Sequence, residues 1–151
     1  MIDNNKNLLI EVSNIALNAG REIMNYYESN SNVLTKEDKS PLTEADLASN
    51  NIIIEKLRLL NDNIPILSEE SLVEWEERKN WNTYWLIDPL DGTKEFLNKN
   101  GEFTVNIALI KNTEPILGII YSPFLSELYF AQKDQGAYKI NCSKTIKSLE
   151  N

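Results

Sequence analysis

The chain has 151 residues, 42% apolar and 25% charged, which allows one core, either a whole domain or a larger domain cut short. Fifteen basic against 23 acidic residues leave a net charge of −8, which argues against a nucleic acid polymer as partner; no apolar run is long enough to span a bilayer. Histidine is absent and Cys142 is the single cysteine, which excludes an internal disulfide, a cysteine-built zinc site and a histidine general base.

The opening Met1-Ile2-Asp3-Asn4-Asn5 is polar and acidic-leaning, unlike a signal peptide, so the cytoplasm is the expected compartment. Leu8, Ile10, Val12, Ile15, Ala16, Ala19 and Ile23 recur at mixed three- and four-residue spacings, which predicts an amphipathic first helix. Val33-Leu34-Thr35 reads as a short strand, followed by a polar loop that carries Lys36 and Lys39 and ends at Pro41. A second helix is expected to start near Thr43, with Leu47, Ile53, Ile54, Leu57 and Leu60 available to face a core. Pro65 to Ser68 reads as a short buried strand running into the acidic turn Glu69-Glu70, and residues 72–83 as a charged helical loop with Trp75 and Trp81. The run Trp85-Leu86-Ile87 drives a strand into the interior and delivers Asp88 and Asp91 at its end. Strands are then expected over Phe103 to Lys111, Ile116 to Tyr121, Glu127 to Ala131 and Ala137 to Ile140. Breaks at Asn112-Thr113, Ser122-Pro123 and Asp134-Gln135-Gly136 make them an antiparallel meander. Two helices leading into a run of strands indicate an α+β fold, with the helices packed on a mainly antiparallel sheet. Asn106 to Ile110 and Ile116 to Ile120 are apolar at nearly consecutive positions, so both sheet faces need cover, and the two helices can supply only one.

Asp88-Pro89-Leu90-Asp91-Gly92-Thr93 concentrates the chemistry. Pro89 stiffens the bend, Gly92 leaves room for a ligand to approach the backbone, and Thr93 places a hydroxyl where a helix can begin. Hard oxygens on a tight turn, followed by N–H groups at a helix start, suit Mg²⁺ together with a phosphate. Asp-Pro-x-Asp-Gly is also good surface-turn sequence, but such turns rarely follow Trp-Leu-Ile. By spacing alone, Glu69-Glu70 reads as a solvated turn and Thr43 with Asp46 as a helix-capping pair. Trp75, Trp81 and Trp85 suit a core better than an adenine stack, Lys36 and Lys39 suit solvated loop charges, and Cys142 suits packing after the last strand.

Asp88-Pro89-Leu90-Asp91-Gly92-Thr93 resembles the signature of the inositol monophosphatase superfamily, Mg²⁺-dependent and lithium-sensitive phosphatases. Leu42-Thr43-Glu44-Ala45-Asp46 and Ser68-Glu69-Glu70-Ser71 lie upstream in that family's order and spacing. The longer string from Tyr84 to Phe96, together with Asn100 to Ile110, is similar to the 3′(2′),5′-bisphosphate nucleotidase branch. The resemblance runs from about Leu8 to Ile140. It implies that Glu69, Asp88, Asp91 and the Leu90 carbonyl hold two or more Mg²⁺ ions. It implies that Thr93, helped by Asp46, orients and deprotonates the attacking water. Substrate phosphate would meet Glu69, Leu90, Asp91, Gly92 and Thr93. The implied reaction is hydrolysis of the 3′-phosphate of adenosine 3′,5′-bisphosphate, a small nucleotide of sulfur assimilation, to AMP and phosphate. Inositol monophosphate hydrolysis is the runner-up, and a non-catalytic fragment that binds metal and phosphate is the rival from another class.

One departure stands out. The family's second half carries a Trp-Asp motif that completes the metal cage and the substrate pocket, and none follows Ile140 here. The chain therefore reads as an inositol-monophosphatase-like N-terminal domain with the C-terminal α/β half missing. The expected consequences are weakened metal binding and turnover, and either poor solubility or association through the uncovered sheet face, as a homodimer or with a complementary C-terminal chain.

Overall fold

Helix α1 (Asn4–Glu28) turns a stripe of Val12, Ile15, Ala16, Ala19 and Ile23 inward, all buried. Ile10 lies outside that stripe and is exposed, because a three-to-four periodicity tolerates more than one choice of face. The computed structural model describes residues 4–29, 33–35 and 41–143, so Lys36 and Lys39 lie outside the described residues. Helix α2 (Glu44–Leu60) packs on α1 and starts at Thr43, whose backbone is extended (φ −119°, ψ 164°). The Thr43 side chain accepts the Asp46 N–H while the Asp46 carboxylate accepts the Thr43 N–H, a reciprocal cap that satisfies two otherwise orphaned donors. Ala45, Ile53 and Leu57 of α2 are buried. Leu47, expected inward, is exposed because Asp46, Ser49 and Asn50 occupy the inward positions instead.

Strands β1 (Val33–Thr35) and β2 (Pro41–Thr43) form a small antiparallel pair. The main sheet comprises β3 (Ile66–Ser68), β4 (Thr83–Asp91), β5 (Thr104–Lys111), β6 (Glu114–Ser122), β7 (Glu127–Gln132) and β8 (Gly136–Asn141), in spatial order β3-β4-β5-β6-β7-β8. Only β3 and β4 run parallel; every other neighbouring pair in this sheet is antiparallel. The short helix α3 (Trp75–Arg78) lies in the crossover between β3 and β4, and α4 (Thr93–Leu97) follows β4. Asn112 and Thr113 both take positive φ (49° and 68°), the backbone that a tight hairpin between twisted strands requires.

Period-two alternation assigns the two faces of this sheet. Trp85, Ile87, Val105, Ile107, Leu117 and Ile119 are buried beneath α1 and α2, and each such burial contributes about 1.5–3 kcal/mol. Trp85 belongs to this core, Trp75 is exposed with the Arg78 guanidinium over its ring, and buried Cys142 donates its N–H to the Ser126 carbonyl at 2.7 Å. The opposite face is apolar and open. Leu86, Ile120 and Tyr129 stand exposed there, lining a groove of about 1030 Å³ that also touches Glu69 and Asp88.

Candidate active site

Strand register brings the first two carboxylates together. Parallel pairing sets Ser68 opposite Ile87, so the next residues, Glu69 and Asp88, emerge side by side; the Glu69 N–H donates to the Ile87 carbonyl at 3.2 Å. On the other edge of β4, Asp88 faces Asn106 and Asp91 faces Thr104. Pro89 and Leu90 thus stand against the single residue Val105, which is a β-bulge. Pro89 has no N–H to lose from the ladder, and the Leu90 side chain is sunk into the core. The two aspartates therefore lie in a bulge within β4, rather than in a turn after it, because pairing with Thr104 keeps the chain extended to Asp91.

Gly92 then reverses the chain with φ 96°. A Cβ there would sit 2.8 Å from the Glu102 carbonyl oxygen and 3.3 Å from Phe103 Cα. The room expected for a ligand at Gly92 is thus filled on that side by the chain's own backbone. Thr93 opens α4, where the Phe96 N–H donates to the Gly92 carbonyl at 2.9 Å. Thr93 Oγ1 donates to Asp46 Oδ1 at 3.0 Å, while Asp46 Oδ2 accepts the Thr43 N–H at 2.9 Å and the Thr43 hydroxyl. Asp46 is fully buried, so one carboxylate caps α2 and anchors Thr93 at once. The two sequence readings of that residue are compatible.

Several polar contacts around the site, those made by Ser49 and Asn50 above all, are not anticipated by the sequence motifs. Asn106 Nδ2 donates to Asp91 Oδ2 at 3.2 Å, and its own Oδ1 accepts the Thr104 hydroxyl at 3.1 Å. Ser49 Oγ donates to the Pro89 carbonyl at 2.7 Å. Ser68 Oγ donates to Asn50 Oδ1 at 2.6 Å, Asn50 Nδ2 donates to Ser71 Oγ at 3.3 Å, and the Glu70 N–H donates to Ser68 Oγ at 3.2 Å. The available signal was polar residues at positions 46, 49 and 50 of a helix whose inward face should be apolar.

Burial, the hydrogen bond with Glu69 and the negative charges of Glu69 and Asp91 push the Asp88 carboxyl from 3.8 up to about 8, against the opposing pull of the Leu90 N–H. Asp88 Oδ1 is buried without a hydrogen-bond partner among the described residues. A hard divalent cation fits that donor set: it would take the orphaned oxygen and relieve the crowding of like charge. Among the described residues no three acidic or cysteine side chains surround one ion position. Magnesium does not require three, because it keeps several waters and is held through one or two carboxylates.

The raised value sets a pH dependence. Between about pH 4 and pH 8 the folded, metal-free protein holds a proton on Asp88 that the unfolded chain has released, so stability falls as pH rises through that window. Asp88 is only half-buried, so solvent screening reduces the expected loss to about 1–2 kcal/mol, or a few degrees in Tm. Thermal melts in chelator at pH 5 and pH 8 measure it. Asp88→Asn should flatten the slope, and an unchanged slope in that variant would remove Asp88 as its source.

Comparison with known proteins agrees with this architecture. The model of the inositol monophosphatase family matches residues 4–150. The chain is 48% identical over 137 residues to the 3′(2′),5′-bisphosphate nucleotidase CysQ of Salmonella typhimurium, covering 89% of this chain and 55% of that protein. It is 52% identical over 131 residues to the CysQ of Buchnera aphidicola, covering 85% and 49%. The crystal structure of CysQ from Bacteroides thetaiotaomicron, a bacterial member of the same family, superposes with a TM-score of 0.74 at 39% identity. That match covers 97% of this chain and 56% of the other. The chain thus spans about half the length of the relatives it matches.

Proposed function

The chain belongs to the inositol monophosphatase family, and from that premise we propose a Mg²⁺-dependent phosphomonoesterase that hydrolyses the 3′-phosphate of adenosine 3′,5′-bisphosphate to AMP and phosphate. One observation carries the chemistry: Glu69 lies beside Asp88, which has an oxygen without a partner among the described residues, and the bulged strand that bears Asp88 leads to a Thr93 hydroxyl bonded to Asp46. The choice of nucleotide is supported by the identity to bisphosphate nucleotidases.

In this reading Glu69, Asp88, Asp91 and the Leu90 carbonyl hold two or more Mg²⁺ ions. Magnesium so held supplies charge stabilisation at the phosphoryl oxygens and eases deprotonation of water. The Thr93 proton already points at Asp46, which leaves the hydroxyl oxygen able to accept a proton from an attacking water while its own passes to Asp46 Oδ1. In this reading the Gly92 and Thr93 amides, at the start of α4, would receive phosphate oxygens, with Glu69 as a further substrate contact. The acidic net charge is then compatible with an anionic substrate, because bound cations reverse the sign it meets.

The test is phosphate release from adenosine 3′,5′-bisphosphate and from inositol monophosphate, with and without Mg²⁺. Asp88→Asn and Asp91→Asn are each expected to lower the Mg²⁺-dependent rate at least 100-fold. Equal, Mg²⁺-independent rates in all three proteins would end the enzymatic reading, and preference for inositol monophosphate would move it to that branch. A second reading, binding of metal and phosphate without turnover, is favoured by the open groove beside Glu69 and Asp88. It predicts a Tm raised by Mg²⁺ with no phosphate released.

A further inference from the structure

Helix α2 reaches three segments of the candidate site from one face. Asp46, Ser49 and Asn50 follow the i, i+3, i+4 pattern, and all three are buried. Asp46 holds Thr93, Ser49 holds the carbonyl of Pro89 at 2.7 Å, and Asn50 bridges Ser68 and Ser71 on either side of Glu69-Glu70. We propose that Ser49 and Asn50 are positioning residues. They lock the two carboxylate-bearing loops to a single rigid helix and so set the spacing between Glu69 and the Asp88–Asp91 bulge. The metal-affinity part of this proposal rests on the function proposed above.

The physical case has three parts. The extra residue of a bulge breaks the regular ladder, so the bulge needs a partner from outside the sheet to fix its conformation. Ser49, forty positions away in the chain, is that partner for Pro89. Next, Asp88 sits on β4 and Glu69 just past β3, which joins β4 at only three ladder positions, so their separation depends on how the loop after Ser68 is held. Asn50 grips that loop at two points because its amide accepts at Oδ1 and donates at Nδ2 in the same geometry. Finally, Asn50 is neutral. A carboxylate of the same shape could accept from Ser68, but it could not donate to Ser71 and would add negative charge beside Glu69 and Asp88. Outer-shell partners of this kind commonly govern metal affinity by about 10- to 100-fold.

The probe is Mn²⁺, titrated calorimetrically into the whole chain. Ser49→Ala and Asn50→Ala should each weaken binding by about tenfold or more. Ser49→Thr, which keeps the hydroxyl, should stay within roughly threefold of wild type. Ile53→Val, one turn along the same buried face, should lower Tm without moving Mn²⁺ affinity. Asn50→Asp separates positioning from charge: positioning predicts weaker binding, whereas tighter binding would overturn the proposal. It is equally overturned if the alanine variants bind like wild type or if Ile53→Val loses as much as they do. A second measurement needs no metal. Amide hydrogen exchange at residues 69–71 and 90–91 should quicken about tenfold in the alanine variants but not in Ile53→Val. If wild type takes up no Mn²⁺, or Asp88→Asn binds as tightly as wild type, the metal reading fails. The exchange data then decide the clamp by themselves: unchanged protection of both segments overturns it.

Discussion

Thr93→Val is expected to lower Mg²⁺-dependent phosphate release by about 100- to 1000-fold with the fold intact. Valine nearly matches threonine in shape, so the loss isolates the hydroxyl that donates to Asp46 Oδ1. The substitution leaves one buried carboxylate oxygen without its partner, at a stability cost of about 1–3 kcal/mol. Asp46 stays bonded to the N–H and hydroxyl of Thr43, so the start of α2 survives. Asp46→Asn should cost a similar factor, because an amide cannot take up the Thr93 proton. The double variant should be little worse than the poorer single one, since two groups that act as one unit are not additive. Steady-state kinetics give the rates, and the rise of Tm with Mg²⁺ shows whether metal still binds, as expected for both singles. A Thr93→Val rate within threefold of wild type would show that the proton does not travel by this route.

Phe96→Ala is expected to remove about 3–5 kcal/mol of stability, which for a chain of this size lowers Tm by roughly 10 °C. Phe96 is buried, with its ring 5.3 Å from Phe103 edge-on and 5.4 Å from Tyr27. Helix α4 is five residues long, far below the length at which a helix persists by itself, so its attachment comes from this ring, the Gly92 turn and the Thr93–Asp46 hydrogen bond. Phe124 also packs against Tyr27, at 5.8 Å, but is half-exposed. Phe124→Ala should therefore cost about 1 kcal/mol. Thermal melts of the two variants decide the matter: equal losses would mean that the aromatic cluster does not single out Phe96 as the peg for α4 and Thr93.

The elements legible in the sequence are those set by neighbouring residues. The meander from β5 to β8 follows from apolar runs punctuated by Asn112-Thr113, Ser122-Pro123 and Asp134-Gln135-Gly136, because hairpin turns demand particular backbone conformations at adjacent residues. The α2 start follows from Thr43 and Asp46, three positions apart. Ile10 and Leu47 were misjudged because periodicity marks an apolar sector without saying where its border falls once a neighbouring element packs against it.

The α+β class, the meander and a bent, carboxylate-rich motif after Trp85-Leu86-Ile87 are readable from residue order, since all of these are local in the chain. Packing in three dimensions is what sets Glu69 beside Asp88, makes the bend a bulge inside β4, and turns Asp46, Ser49 and Asn50 toward three segments of the site. Parallel pairing and a polar contact across forty residues leave no short-range pattern. A serine or asparagine on a helix reads as solvated until a partner element arrives to bury it.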